Sequence, residues 1–124
     1  MSAQLEELRD QADADRALKL PLALILKHST RCSVSNRALA IVQQFAEENP
    51  SIPVYVVPVI ECRPVSNYLA ESTDVRHQSP QALLLRFGRP VWHGSHFDIS
   101  VKTLSEVVLE TARTGEACQS LRRG

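Results

Sequence analysis

The stretch from Leu22 to Ile60 constrains this chain more than any other part of it. An unbroken apolar run, Leu22-Ala23-Leu24-Ile25-Leu26, leads into the polar segment Thr30-Arg31-Cys32-Ser33-Val34-Ser35. From Ser33 to Glu48, Val34, Ala38, Ile41 and Phe45 recur at helical spacing, with Leu39 and Val42 widening the stripe. Asn49-Pro50 stops that helix, and Val54 to Ile60 follows, rich in β-branched residues. Strand, helix and strand in this order require a parallel pair with a right-handed crossover. The continuous apolar character of 22–27 suits a central strand covered on both faces.

The rest of the chain fills in around this unit. Ser2 caps a first helix carrying Leu5, Leu8 and Ala12, so residues 1–20 are expected to form an N-terminal helical extension ending before Pro21. Pro58 interrupts the second strand, which places that strand at a sheet edge or the proline at a ladder end. Pro64 fits the first turn of a short helix running to about Glu71. Ala82 to Phe87 and Val91 to His96 flank Gly88-Arg89-Pro90, read as a tight hairpin turn. Ser100 caps a last helix bearing Val101, Leu104, Val107, Val108 and Ala112; Gly115 ends it, and 115–124 is expected to be a flexible tail. With 22–27 and 82–87 in the middle and 54–60 and 91–96 at the edges, the pattern is a single α/β domain over 1–124. Its central four-stranded mixed sheet, flanked by helices, has the thioredoxin fold.

Composition narrows the function classes. The chain is 44% hydrophobic and 23% charged, with 14 basic and 14 acidic residues. That balance suits a globular domain and argues against nucleic acid or an anionic membrane as a partner. No apolar run approaches the roughly 20 residues that span a bilayer. The acidic N-terminus lacks the basic-then-apolar order of a secretory signal, so a cytoplasmic location is expected. The three cysteines, Cys32, Cys62 and Cys118, are too sparse for a disulfide framework and contain no C-x-x-C pair.

Cys32 therefore carries the chemistry. A cysteine at a strand-to-helix junction meets the positive end of the helix, which favours its thiolate. Lys27, His28 and Arg31 are close enough in sequence to add positive potential. Ser35 stands where a two-cysteine centre would have its second thiol; its hydroxyl can donate to a thiolate but cannot displace a bound thiol. Thr30 and Ser33 are alternative caps. Pro80, preceded by Ser79 and followed by a central strand, is expected to be cis and to present the Ser79 backbone to a substrate disulfide. Cys62 follows the second strand, on the edge where parallel strands end, and is a candidate resolving thiol. His93 and His96 point to opposite faces of a strand, His28 lies beside the nucleophile and His77 precedes Pro80, so no metal site is expected. Trp92 and Phe97 are expected to pack against a helix or line the sheet edge.

Four ordered blocks carry a resemblance: Lys27-His28-Ser29-Thr30-Arg31-Cys32-Ser33-Val34-Ser35, Arg63-Pro64-Val65-Ser66-Asn67, His77-Gln78-Ser79-Pro80-Gln81-Ala82 and Val91-Trp92-His93-Gly94-Ser95-His96. Together they make the chain similar to the monothiol bacilliredoxins of the thioredoxin-like superfamily. The resemblance implies a thiol–disulfide oxidoreductase that removes bacillithiol, a low-molecular-weight thiol, from oxidised client proteins. Cys32 would attack, Pro80 would be the cis proline, and Thr30, Arg31 and Ser79 would contact substrate. Bacillithiol would be a co-substrate, with no tightly bound cofactor. The family commonly has proline directly after the active cysteine, where this chain has Ser33. Two rivals stand beside this reading: a two-cysteine reductase using Cys32 and Cys62, and a non-catalytic thioredoxin-like binding module. An iron–sulfur carrier ranks last, because the glycine-phenylalanine expected after the cysteine is missing.

Overall fold

The computed structural model describes residues 5–29 and 33–123, with side chains described as far as residue 113. Five strands form one mixed sheet: β1 (Glu6–Glu7), β2 (Ala23–His28), β3 (Val54–Pro58), β4 (Gln81–Arg86) and β5 (Arg89–Ser95), in the order β1-β3-β2-β4-β5. β3 runs parallel to both β1 and β2, whereas β4 is antiparallel to β2 and β5. The helices are α1 (Gln11–Leu18), α2 (Ser33–Glu48), α3 (Arg63–Thr73) and α4 (Val101–Arg123). This is the thioredoxin fold, with one strand more than the four expected.

Strand alternation divides the core into two layers. Ile25, Val57, Leu83 and Leu85 pack with Ala14 and Ala17 of α1 and Val65 and Leu69 of α3. Leu24, Leu26, Val56, Ala82 and Leu84 pack with Ala38, Val42 and Phe45 of α2 and Leu104 of α4. All six residues of β2 are buried, as a strand covered on both faces requires.

The N-terminus differs from the expected helical extension. Asp10 caps α1 by accepting from the Asp13 N–H at 2.8 Å, so the helix starts there and not at Ser2, which lies outside the described residues. Leu8 N–H donates to the Val56 carbonyl at 3.0 Å, which draws the preceding residues into the sheet. Leu5 and Leu8, three apart, then reach opposite core layers, as extended backbone dictates. β1 covers β3, so β3 is interior; Pro58 is tolerated because it ends the ladder, opposite His28.

Other boundaries also shift. The hairpin loop is Phe87–Gly88, both at positive φ, the backbone of a two-residue turn whose twist matches its strands. Arg89 and Pro90 already belong to β5, an edge strand with a register shift opposite Leu84/Leu85, where a missing N–H is tolerated. α3 runs on to Thr73, and Asp74 ends it in the left-handed conformation. α4 passes through Gly115, whose cost within a helix is only about 1 kcal/mol. Ser100 does cap α4, its hydroxyl accepting from the Thr103 N–H at 3.1 Å. His96 lies in a 3-10 turn, His96–Asp98, and not on a strand. Phe97 in that turn is largely exposed instead of packed, while Trp92 packs against the α2/α4 layer.

Candidate active site

The register gathers the chemistry at one edge of the sheet. His28 pairs with Pro58, Lys27 with Gln81, and Gln81 with Ser95, so the ends of β2, β3 and β5 meet the start of β4. β2 leads from His28 towards the segment carrying Cys32, and α2 begins at Ser33, the next residue after it. Thr30, Arg31 and Cys32 themselves lie outside the described residues, as does the side chain of Cys118.

Ser35 is fully buried. Its Oγ accepts from the Ser29 N–H at 2.9 Å, and its carbonyl lies 3.2 Å from His28 Nδ1. A carbonyl only accepts, so Nδ1 carries the imidazole proton and Nε2 keeps its lone pair. Burial pushes the His28 pKa below the usual histidine value, opposed by the Ser35 hydrogen bond and by the Glu61 carboxylate. These two bonds pin the first turn of α2 to the end of β2.

On the other side of β2, the Ser79–Pro80 bond is cis and Pro80 is buried. The Pro80 carbonyl accepts from the His96 N–H at 3.1 Å, tying this loop to the turn after β5. The hydroxyl oxygen of Ser79 is buried without a hydrogen-bond partner among the described residues. Cys62 occupies the N-cap position of α3 and is a free thiol, 6% exposed. Its side chain belongs to the apolar layer with Val57 and Val65, so a resolving role would require it to leave that layer.

Beyond the positive potential expected of Lys27, several residues at this edge carry no obvious sequence signal. Lys27 is completely buried, with Nζ 3.1 Å from the Ser66 carbonyl and 3.4 Å from His77 Nδ1. Burial lowers its pKa to about 8. His77 Nδ1 also lies 3.1 Å from Ser66 Oγ; burial, then the charges of Lys27 and Arg63, lower its pKa. Gln81 donates through Nε2 to the Arg76 carbonyl at 3.0 Å, while its buried Oε1 has no partner among the described residues. The available hint was a lysine inside an apolar strand. A cleft of about 330 Å³ beside this loop is lined by Asp74, Arg76, Gln81, His93 and Asp98 among others, charges of both signs. Among the described residues no three histidine, cysteine or acidic side chains cluster as metal ligands.

Known proteins share this fold. The family described as Monothiol bacilliredoxin BrxC matches residues 3–104. A solved thioredoxin-fold protein, taken to be an oxidoreductase, is 30% identical with a TM-score of 0.78, covering 83% of this chain and 92% of its own. Thioredoxin from Trypanosoma brucei brucei superposes with a TM-score of 0.74 at 11% identity, over 91% of this chain and 95% of its own. Mitochondrial thioredoxin 3 from Saccharomyces cerevisiae gives 0.69 at 11% identity, over 86% and 94%. The last two show the fold alone. A family match spanning most of the chain, together with the 30% identical neighbour, makes this protein a member of the monothiol bacilliredoxin family.

Proposed function

We propose that the protein is a monothiol oxidoreductase acting through Cys32, which removes bacillithiol or a similar small thiol from client proteins in the cytoplasm. The Cys32 thiolate attacks the small-thiol sulfur of a protein mixed disulfide. The old S–S bond breaks, the client leaves as a thiolate and takes a proton from water, and Cys32 carries the adduct. A second small thiol, as thiolate, attacks that adduct; Cys32 is restored and a small-molecule disulfide departs. No tightly bound cofactor is needed, because the electrons come from the second thiol.

One observation carries the single-thiol reading. The position one turn into α2, where a two-cysteine centre would hold its resolving thiol, is the buried Ser35, engaged by Ser29 and His28. Enclosure of Cys62 among aliphatic side chains supports the same conclusion over the two-cysteine alternative. The neighbouring cleft, lined by Asp74, Arg76 and Asp98 among others, suits a small polar thiol bearing charges of both signs. Thr30, Arg31, Ser79 and Pro80 complete the proposed substrate contacts.

The test is intact-protein mass after incubation with bacillithiol disulfide. One adduct at Cys32 is expected, absent from Cys32→Ser and unchanged in Cys62→Ala. An intramolecular Cys32–Cys62 disulfide that replaces the adduct would establish the two-cysteine mechanism instead. No adduct and no turnover would leave a binding module.

A further inference from the structure

The loop between α3 and β4, residues 74–80, carries Ser79 and Pro80 and is anchored along its length. Val75 sits in the apolar layer with Leu69 and Leu83. The Arg76 carbonyl accepts from Gln81 Nε2 at 3.0 Å, a bond confined to the loop and the strand it enters. Only His77 joins the loop by its side chain to polar groups of two other elements. Its Nδ1 lies 3.4 Å from Lys27 Nζ on β2 and 3.1 Å from Ser66 Oγ on α3.

Donor and acceptor rules fix the protons in this cluster. An ammonium has only donors, so Nδ1 accepts from Lys27, and the Ser66 hydroxyl can donate to the same nitrogen. His77 is therefore neutral here, with its proton on Nε2. A further proton on the ring must go to Nδ1, which then sets donor against donor and charge against charge. The Ser66 hydroxyl can turn to accept from it; the ammonium cannot. Lys27 is completely buried and also donates to the Ser66 carbonyl at 3.1 Å, whereas His77 is exposed. The histidine is thus the partner that gives way.

Nothing around the pair offsets a second positive charge. Arg63 of α3, the other charge acting on His77, is also positive. Arg76, the chain neighbour of His77, is exposed. Cys62 lies one turn before Ser66, in the apolar layer. Val57 and Gln81, the register partners of Lys27 on β3 and β4, are uncharged. His28 faces the other side of β2, bonded to the Ser35 carbonyl. Neither ion pair among the described residues, Arg9–Glu7 or Arg16–Asp13, includes Lys27 or His77.

We propose that His77 is a positioning residue for the exchange reaction: as a neutral acceptor it clamps the 74–80 loop to Lys27 and Ser66, and protonation at Nδ1 releases that loop. This deepens the single-thiol reading and rests on it for its consequence, because Ser79 and Pro80 are that reading's substrate contacts. Burial, then the charges of Lys27 and Arg63, lower the His77 pKa. The clamp therefore holds at neutral pH, and release requires acid below the ordinary histidine range.

The experiment is backbone 15N relaxation of the full-length protein from about pH 4.5 to 7.5, with imidazole 15N shifts reporting the His77 midpoint. Order parameters for residues 76–79 are expected to fall from ~0.85 to under ~0.6 as His77 takes up its proton. Values that stay flat through the His77 titration overturn the proposal. In His77→Asn the side-chain carbonyl can accept in place of Nδ1 without titrating, so the loop is expected to stay rigid in acid. An acid fall that persists in this variant overturns the proposal. In Lys27→Met a positive neighbour is gone, so the His77 midpoint must rise, and an unmoved midpoint overturns the proposal. Should Lys27→Met not fold, the His77→Asn series decides. None of these measurements uses a thiol or a disulfide, so the two readings fail separately. Absence of a bacillithiol adduct with a loop that follows His77 removes the exchange function and keeps the clamp; an adduct with a flat profile does the reverse.

Discussion

The two halves of β2 are equally buried and chemically opposite. Leu24, Ile25 and Leu26 feed the two apolar layers, whereas Lys27 and His28, next along the same strand, hold polar partners on opposite faces. Burial alone therefore says nothing about purpose. The first half holds the fold together by removing hydrocarbon from water. The second half spends part of that stability on polar groups beside the segment that bears the proposed nucleophile. His28 is neutral and satisfied by a carbonyl; Lys27 has no carboxylate partner among the described residues. The same strand thus carries an apolar framework at one end and buried polar groups at the other.

The comparison breaks most readily in the apolar half. Leu24→Ala should destabilise the protein by roughly 2–5 kcal/mol in urea unfolding, since the side chain is fully buried and its neighbours close only partly over the cavity. A loss under 1 kcal/mol would mean the layer is not close-packed. Next is Lys27, through pH. Its folded-state pKa lies below its unfolded value, so between about pH 8 and pH 10.5 the unfolded chain holds more protons than the folded one. Stability relative to Lys27→Met should rise across that window, by roughly 3 kcal/mol. A flat difference would show the amine to be hydrated. The smallest effect belongs to His28, whose pKa is also depressed. On acidification below the ordinary histidine range the unfolded state takes up the proton first, so stability falls. His28→Ala should soften that acid loss while costing about 1 kcal/mol at neutral pH for the lost bond to Ser35. Guanidinium melts at a series of pH values measure both.

Much of the scaffold was legible because its signals are periodic. Val34, Ala38, Ile41 and Phe45 mark α2, which spans the expected Ser33–Glu48, and the β-branched run at Val54 marks β3. Ser100 announces the start of α4 through a local bond. β1 was hidden because Leu5 and Leu8 fit a helical stripe as well as they fit a strand, and only the Val56 carbonyl decides between them. Pro90 suggested a turn, yet Phe87 and Gly88 take the positive φ values and leave the proline in an edge strand. At the candidate site, Ser35 and Pro80 stood out by their spacing around Cys32 and the central strand. Lys27 showed itself as a charge between an apolar run and Cys32, and nothing local to Ser66 or His77 foretold that they would meet it.

The sequence by itself determined the order of strands and helices from β2 onward and the parallel crossover. Each of these depends on interactions between residues near one another in the chain. Tertiary structure alone decided that β3 is interior, that Cys62 is enclosed and that a lysine is buried beside a histidine fifty positions away. Those outcomes depend on which distant groups share a face of the sheet. Register and packing set that, and no local pattern encodes it.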